Sequence, residues 1–226
     1  MQLVGLPFAG GNETSYERFR PHLPSNWELI GCPLPGKGKR IHEPLLTDIH
    51  AMVQQIGQQL EPITTKPYVL YGHSMGAMLG HLVVHWLSDN ALPLPQHLFV
   101  SSFPAPSHHH DRHRGAMNDE QFITHMKCLG GLPPAILNEP KLLRVFLPIL
   151  RADIAAIDGY RYSIQEPHPV PITAIFGTQE TGLASNIRDW QQETTAKLKV
   201  HRLDGDHFFI YPQAETLMQL ICSTVG

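Results

Sequence analysis

The stretch Pro67-Tyr68-Val69-Leu70-Tyr71-Gly72-His73-Ser74-Met75-Gly76, which runs on through Ala77 to Trp86, decides the fold. A β-prone run, a Gly-x-Ser-x-Gly turn and a helix-forming run succeed one another without a gap, the context of a strand that turns tightly into a helix. The glycines two residues either side of Ser74 let the flanking segments approach, while the serine takes a strained backbone that projects its hydroxyl beyond the strand. Ala77 and Gly80 keep the helix slim where it crosses the sheet. The competing reading is an ordinary strand-to-helix turn with a capping serine.

Outward from this unit, short apolar runs alternate with helix-period segments, which predicts an α/β fold with a mostly parallel sheet flanked by helices. The expected strands are Leu3–Leu6, Glu28–Cys32, Pro67–Tyr71, His97–Ser102, Ile172–Phe176 and Lys199–Leu203. Ile49, Met52, Val53, Ile56 and Leu60 recur at helical spacing, as do Leu217, Met218, Ile221 and Val225, and each stripe is expected to cover one face of the sheet. The alternation breaks between Pro104 and Pro171. That segment holds no convincing strand but three helical stretches, Asp119–Leu129, Lys141–Leu147 and Pro148–Tyr162, punctuated by prolines such as Pro133, Pro134 and Pro167. We read residues 1–226 as a single domain with a helical lid insertion, 104–171, over the sheet's carboxyl edge, where open α/β sheets bind ligands.

At 226 residues the chain fits one large domain, and 42% apolar against 16% charged residues argues against disorder. A net charge of -3 supplies no basic field, so nucleic acid is not expected as a partner. Cys32, Cys128 and Cys222 are too widely spaced for a disulfide framework or a CxxC pair, which suits a reducing compartment. MQLVGLPFAGG has no basic leader region, and no apolar run reaches the roughly 18 residues of a membrane span, so a soluble, cytoplasmic protein without membrane contact is expected. The tract His108-His109-His110-Asp111-Arg112-His113-Arg114 offers metal ligands, but a solvated loop is the better reading. No cofactor and no metal are expected.

A serine hydroxyl needs a base. Among 15 histidines, His207 follows the last strand and precedes the C-terminal helix, where a base belongs in the order serine, acid, histidine. His73 reads as a packing or hydrogen-bonding neighbour rather than the base, and His201 as structural or solvated. The acid must sit on a loop that meets the His207 loop. Glu180, just beyond Phe176-Gly177, is the first choice. Asp153 and Asp158, expected on a solvated helix face, Asp189, Asp204 and Asp206 are the alternatives. An oxyanion hole takes one backbone N–H from Met75 and a second from Ala9 or Phe8 in Leu6-Pro7-Phe8-Ala9-Gly10-Gly11, a loop that leads to a helix expected to begin near Glu13 or Thr14.

These residues resemble the type II thioesterases of polyketide and nonribosomal peptide synthesis, within the α/β-hydrolase fold. The resemblance covers most of the chain. It rests on Leu6–Gly11, on Pro33-Leu34-Pro35-Gly36-Lys37-Gly38-Lys39-Arg40, on Tyr71–Ala77, on Leu129-Gly130-Gly131-Leu132-Pro133, on Leu150-Arg151-Ala152-Asp153 and on Asp206-His207-Phe208-Phe209. It implies hydrolysis of acyl groups from the phosphopantetheine arms of carrier proteins, in editing, unblocking or product release, under a helical lid. Where the family usually has an aspartate after the late strand this chain has Glu180, and where it has Gly-Gly-His this chain has Gly205-Asp206-His207. The first strand also starts almost at Met1. An acyl-CoA thioesterase or a carboxylesterase on free small molecules is the enzymatic alternative, and a non-catalytic docking protein the remote one. Lys37, Lys39, Arg40, Arg112 and Arg114 are candidates for an acidic carrier protein, although basic residues of this kind are more often merely solvated.

Overall fold

The computed structural model describes residues 1–109, 114–132 and 134–226; positions 110–113 of the histidine-rich tract, Arg112 among them, and Pro133 lie outside the described residues. All six expected strands form: β1 (Gln2–Leu6), β2 (Glu28–Gly31), β3 (Tyr68–His73), β4 (Leu98–Ser101), β5 (Ile172–Gly177) and β6 (Lys199–Leu203). They pair in the order β2-β1-β3-β4-β5-β6, every pair parallel. β3 runs further than its apolar pattern, because His73 pairs with Ser101 of β4 and so carries the ladder up to the turn.

Because side chains alternate along a strand, the sheet feeds two cores. Val4, Leu6, Leu70, Leu98, Val100 and Ala174 pack with α1 (Ile49–Leu60) and α2 (Met75–Asp89). Leu3, Val69, Tyr71, Phe99 and Ile175 pack with α6 (Ala214–Val225). The two apolar stripes of the sequence thus cover opposite faces.

Between β4 and β5 the described residues hold α3 (Asp119–Cys128), α4 (Pro134–Leu137) and α5 (Pro140–Gly159), and no named strand. The two helices expected on either side of Pro148 are one. An interior proline costs roughly 3 kcal/mol, but Leu150, Ile154 and Ile157 continue the stripe of Leu143, Phe146 and Leu147 into the core, and that burial outweighs the lost hydrogen bond. The helix expected near Glu13 does not form. The Asn12 side chain captures the Thr14 N–H at 2.9 Å in a local turn, and only a 3-10 helix, Glu17–His22 with Pro21 inside, comes after it. Cys32, Cys128 and Cys222 are free thiols. Among the described residues no helix is long and apolar enough to cross a membrane.

Candidate active site

Ser74 leaves β3 with φ 53° and ψ -120° and begins α2 without a side-chain capping bond. Left-handed φ in a non-glycine residue costs of order 1–3 kcal/mol and persists only where its surroundings fix it. Here the Ser74 N–H donates to the Ser101 carbonyl at 2.8 Å and the Ser74 carbonyl accepts from the Ala77 N–H at 2.9 Å. The glycines are required for space: a Cβ on Gly72 would strike the Gly76 carbonyl, and one on Gly76 would strike the Leu6 carbonyl. Met75 is the first residue of α2, so its N–H is one of the first-turn donors with no acceptor inside the helix.

His207 comes after β6, and its Nδ1 lies 2.8 Å from Glu180 Oε1. A carboxylate only accepts, so the proton sits on Nδ1 and the Nε2 lone pair is left for another proton. The other carboxylate oxygen, Oε2, accepts from the Gly177 N–H at 2.8 Å and from the Ser102 hydroxyl at 2.7 Å. Ser102 is not legible as a site residue in the sequence. The run His97–Ser102 shows that it ends a strand, but its meeting with Glu180 depends on β4 and β5 being neighbours. Like Ser74 it has φ 53°. His73, buried, sets its ring 4.9 Å from that of His207 at a 50° tilt and holds Nδ1 3.0 Å from Ser101 Oγ. Burial, and after it the charge of a protonated His207, pushes the His73 ring well below the ordinary histidine range, so it stays neutral. His201 lies within β6, partly exposed.

The other carboxylates weighed for the acid are engaged elsewhere. Asp189 pairs with His108 Nε2 at 2.5 Å, Asp204 accepts from Thr178 Oγ1 at 2.8 Å, and Asp206 accepts from the Phe208 N–H at 2.8 Å. The solvated face expected for Asp153 and Asp158 is not what forms. Both are buried, Asp153 against Lys37 Nζ at 2.5 Å and Asp158 against Arg114 Nη2 at 2.5 Å. Lys37 and Arg114 are therefore interior residues rather than surface cations, because α5 folds back onto the loops that carry them. Lys39 remains exposed, and Arg40 pairs with Glu43 at 2.5 Å.

Asp153 also reaches the loop after β1, its Oδ2 accepting the Gly10 N–H at 2.7 Å. Burial pushes the Asp153 carboxyl up, while Lys37 and the Gly10 N–H pull it back. Gly10 sits at φ 79°, where a side chain would be strained and would also strike the Phe146 ring. One carboxylate on α5 thus fixes both the Phe8-Ala9-Gly10 turn and the Lys37 loop, a junction that spacing alone does not reveal. With the Gly10 N–H taken, Ala9 is the loop residue that lines the cavity.

That cavity, about 440 Å³, brings Ala9, Ser74, Ser102, Glu180 and His207 together under Met126, Leu129, Ile154 and Ile157 from the helical segment. Over residues 1–224 the sequence matches the thioesterase domain family. The chain belongs to the thioesterase family.

This thioesterase is 30% identical to the gramicidin S biosynthesis protein GrsT of Aneurinibacillus migulanus, over 98% of this chain and 88% of that protein. Among solved structures it is similar to the RedJ thioesterase of the prodiginine pathway of Streptomyces coelicolor, with a TM-score of 0.92 and 29% identity over 99% of this chain and 89% of that one. The type II thioesterase BorB of the borrelidin cluster gives a TM-score of 0.90 and 26% identity over 100% of this chain and 92% of that one. The α/β-hydrolase fold and the resemblance to type II thioesterases both stand, and this thioesterase is a thioester-hydrolysing enzyme.

Proposed function

We propose that this thioesterase frees acyl groups from the phosphopantetheine arms of carrier proteins in polyketide or nonribosomal peptide biosynthesis, in an editing, unblocking or product-release role. Ser74 is the nucleophile, His207 the base and Glu180 the acid that orients it. The observation that carries the reading is the 2.8 Å contact of His207 with Glu180, on the same cavity as a serine at φ 53°.

In the first step Ser74 Oγ attacks the thioester carbonyl and His207 Nε2 takes its proton. The imidazolium is stabilised by Glu180, and the oxyanion accepts from the N–H groups of Met75 and Ala9. The C–S bond then breaks, His207 returns the proton to the pantetheine thiolate, and a water repeats the sequence on the acyl-serine. A thiol, with a pKa of about 8.5, leaves more readily than an amine, so a loose fit in a wide cavity suffices.

Residues 104–171 act as a lid within the one domain of 1–226, since α3 and α5 roof the cavity with apolar side chains. The carrier docks near the exposed Lys39 and the exposed apolar residues Leu142 and Val145 of α5. Free thiols suit a reducing, cytoplasmic setting.

Release of free acid from an acylated carrier protein, with the same acyl group on CoA in parallel and Ser74→Ala as blank, tests this reading. Faster turnover of the carrier substrate, absent in the mutant, is expected. Equal or faster turnover of the CoA thioester would make the protein an acyl-CoA thioesterase, and turnover of neither would favour an esterase or a docking protein.

A further inference from the structure

Away from the cavity, three histidines converge that the reaction above does not use. His81 and His85 stand four residues apart on α2, which turns both to one face, and His168 lies in the segment before β5. Their ring centroids are 4.7 Å (His81–His85), 5.8 Å (His81–His168) and 5.4 Å (His85–His168) apart. One nitrogen of each ring lies within 4.8 Å of the other two. His81 and His168 are buried and His85 half-buried.

These rings are not satisfied by the protein. His81 Nδ1 and His85 Nε2 are buried without a hydrogen-bond partner, and neither nitrogen of His168 has one of good geometry, the backbone of His168 and Val170 making only loose contacts with its ring. A buried polar atom left alone destabilises the fold, and the gathering of these atoms at one point calls for a shared partner. A metal cation takes a lone pair from three imidazoles at once. The surroundings support that geometry. Glu193 Oε2 lies 3.5 Å from His81 Nε2, and its Oε1 accepts from the Tyr162 hydroxyl at 3.2 Å. A carboxylate closing from that distance onto Nε2–H would leave Nδ1 of His81 as the free donor atom, the carboxylate–histidine–metal arrangement. His168 is held by its N–H to the Glu193 carbonyl at 3.2 Å and by its own carbonyl, which accepts from the Thr195 N–H at 3.0 Å.

We propose that His81, His85 and His168 bind one divalent transition-metal ion of the Zn²⁺ type, with Glu193 orienting His81. Three nitrogens with no thiolate suit Zn²⁺ among the available divalent ions. Tetrahedral bonds of about 2.0–2.1 Å require donor atoms about 3.3 Å apart, so the rings close by small rotations. The ion ties α2, which follows Ser74, to the chain entering β5, which leads to Glu180. It is a structural clamp beneath the catalytic edge and takes no part in the reaction.

The test uses the full chain, stripped by a chelator, dialysed against Zn²⁺ and analysed for metal. About one ion per chain is expected, together with a raised thermal midpoint. The histidine-rich tract is the competing binder, so His110→Ser/His113→Ser serves as control and should keep the ion. His85→Gln/His168→Gln should lose it, and Glu193→Gln should weaken affinity about 10–100-fold. Should the double variant fail to fold, His85→Gln alone and the visible absorption of tetrahedral Co²⁺ in the wild type give the same reading. No bound Zn²⁺, or Zn²⁺ that leaves with the tract histidines and stays in the His85 and His168 variants, overturns the proposal whatever the thioesterase activity.

Discussion

The neighbouring strands β3 and β4 run into serines with the same left-handed φ, Ser74 and Ser102 both at 53°, yet the two hydroxyls are used in opposite ways. Ser74 opens a helix of 15 residues and its side chain makes no capping bond, so the hydroxyl stands free in the cavity. Ser102 opens nothing, and its hydroxyl is tied to Glu180 at 2.7 Å. The difference lies in the residues just C-terminal to each serine. Gly76 lets α2 pass against the end of β1, whereas Phe103 precedes Pro104, and a residue before proline is driven away from helical backbone. A strained strand end aims a hydroxyl; the next residues decide whether it is left free or held.

The two strand ends separate most visibly in the rates. Ser74→Ala should lower kcat on the order of 10⁶, measured as free-acid release, and ordinary turnover in that variant would remove Ser74 as nucleophile. Glu180→Gln, which keeps shape but reverses the hydrogen-bonding sense toward His207, should cost about 10⁴. Lys37→Met leaves Asp153 buried without its cation and should lower stability by about 3–5 kcal/mol in urea titration, with part of that restored in Lys37→Met/Asp153→Leu. Ser102→Ala should cost only about tenfold in rate and about 1–3 kcal/mol in stability, since Gly177 still holds Glu180; a loss as large as that of Ser74→Ala would make the two strand ends equivalent.

The smallest expected effect concerns pH at the same edge. The folded pKa of His73 is depressed by burial and then by His207, so the unfolded chain takes up a proton near pH 6.5 that the folded chain refuses. Its stability contribution is intact above that pH and is lost progressively as the pH falls toward the depressed folded value. The urea midpoint should drop from pH 7 to pH 5, in the same sense as expected from His81, His97 and His168. A flat midpoint would mean that none of these rings is held neutral, and a drop undiminished in His73→Asn would remove His73 as a source.

The Gly-x-Ser-x-Gly turn, the strand count and the His207 loop are legible in the sequence because each depends on residues close along the chain. Gly72 and Gly76 report a local crowding, and the run after each turn reports strand or helix by its own period. Asp153 and Asp158 read as solvated because helical periodicity cannot say which loop will cover a helix. Pro148 reads as a break because a proline's local penalty is visible and the burial that offsets it is not. Nor does spacing show that Ser102 meets Glu180, 78 positions away.

The amino-acid sequence therefore determined the α/β alternation, the strained serine between strand and helix and the family of the chain, all properties of short stretches whose backbone preferences act locally. Only the tertiary structure decided which carboxylate faces His207, that Lys37 is buried against Asp153, and that His81, His85 and His168 share one point. Those pairings depend on strand order and on where α5 folds back, and they are fixed by packing between segments that know nothing of one another along the chain.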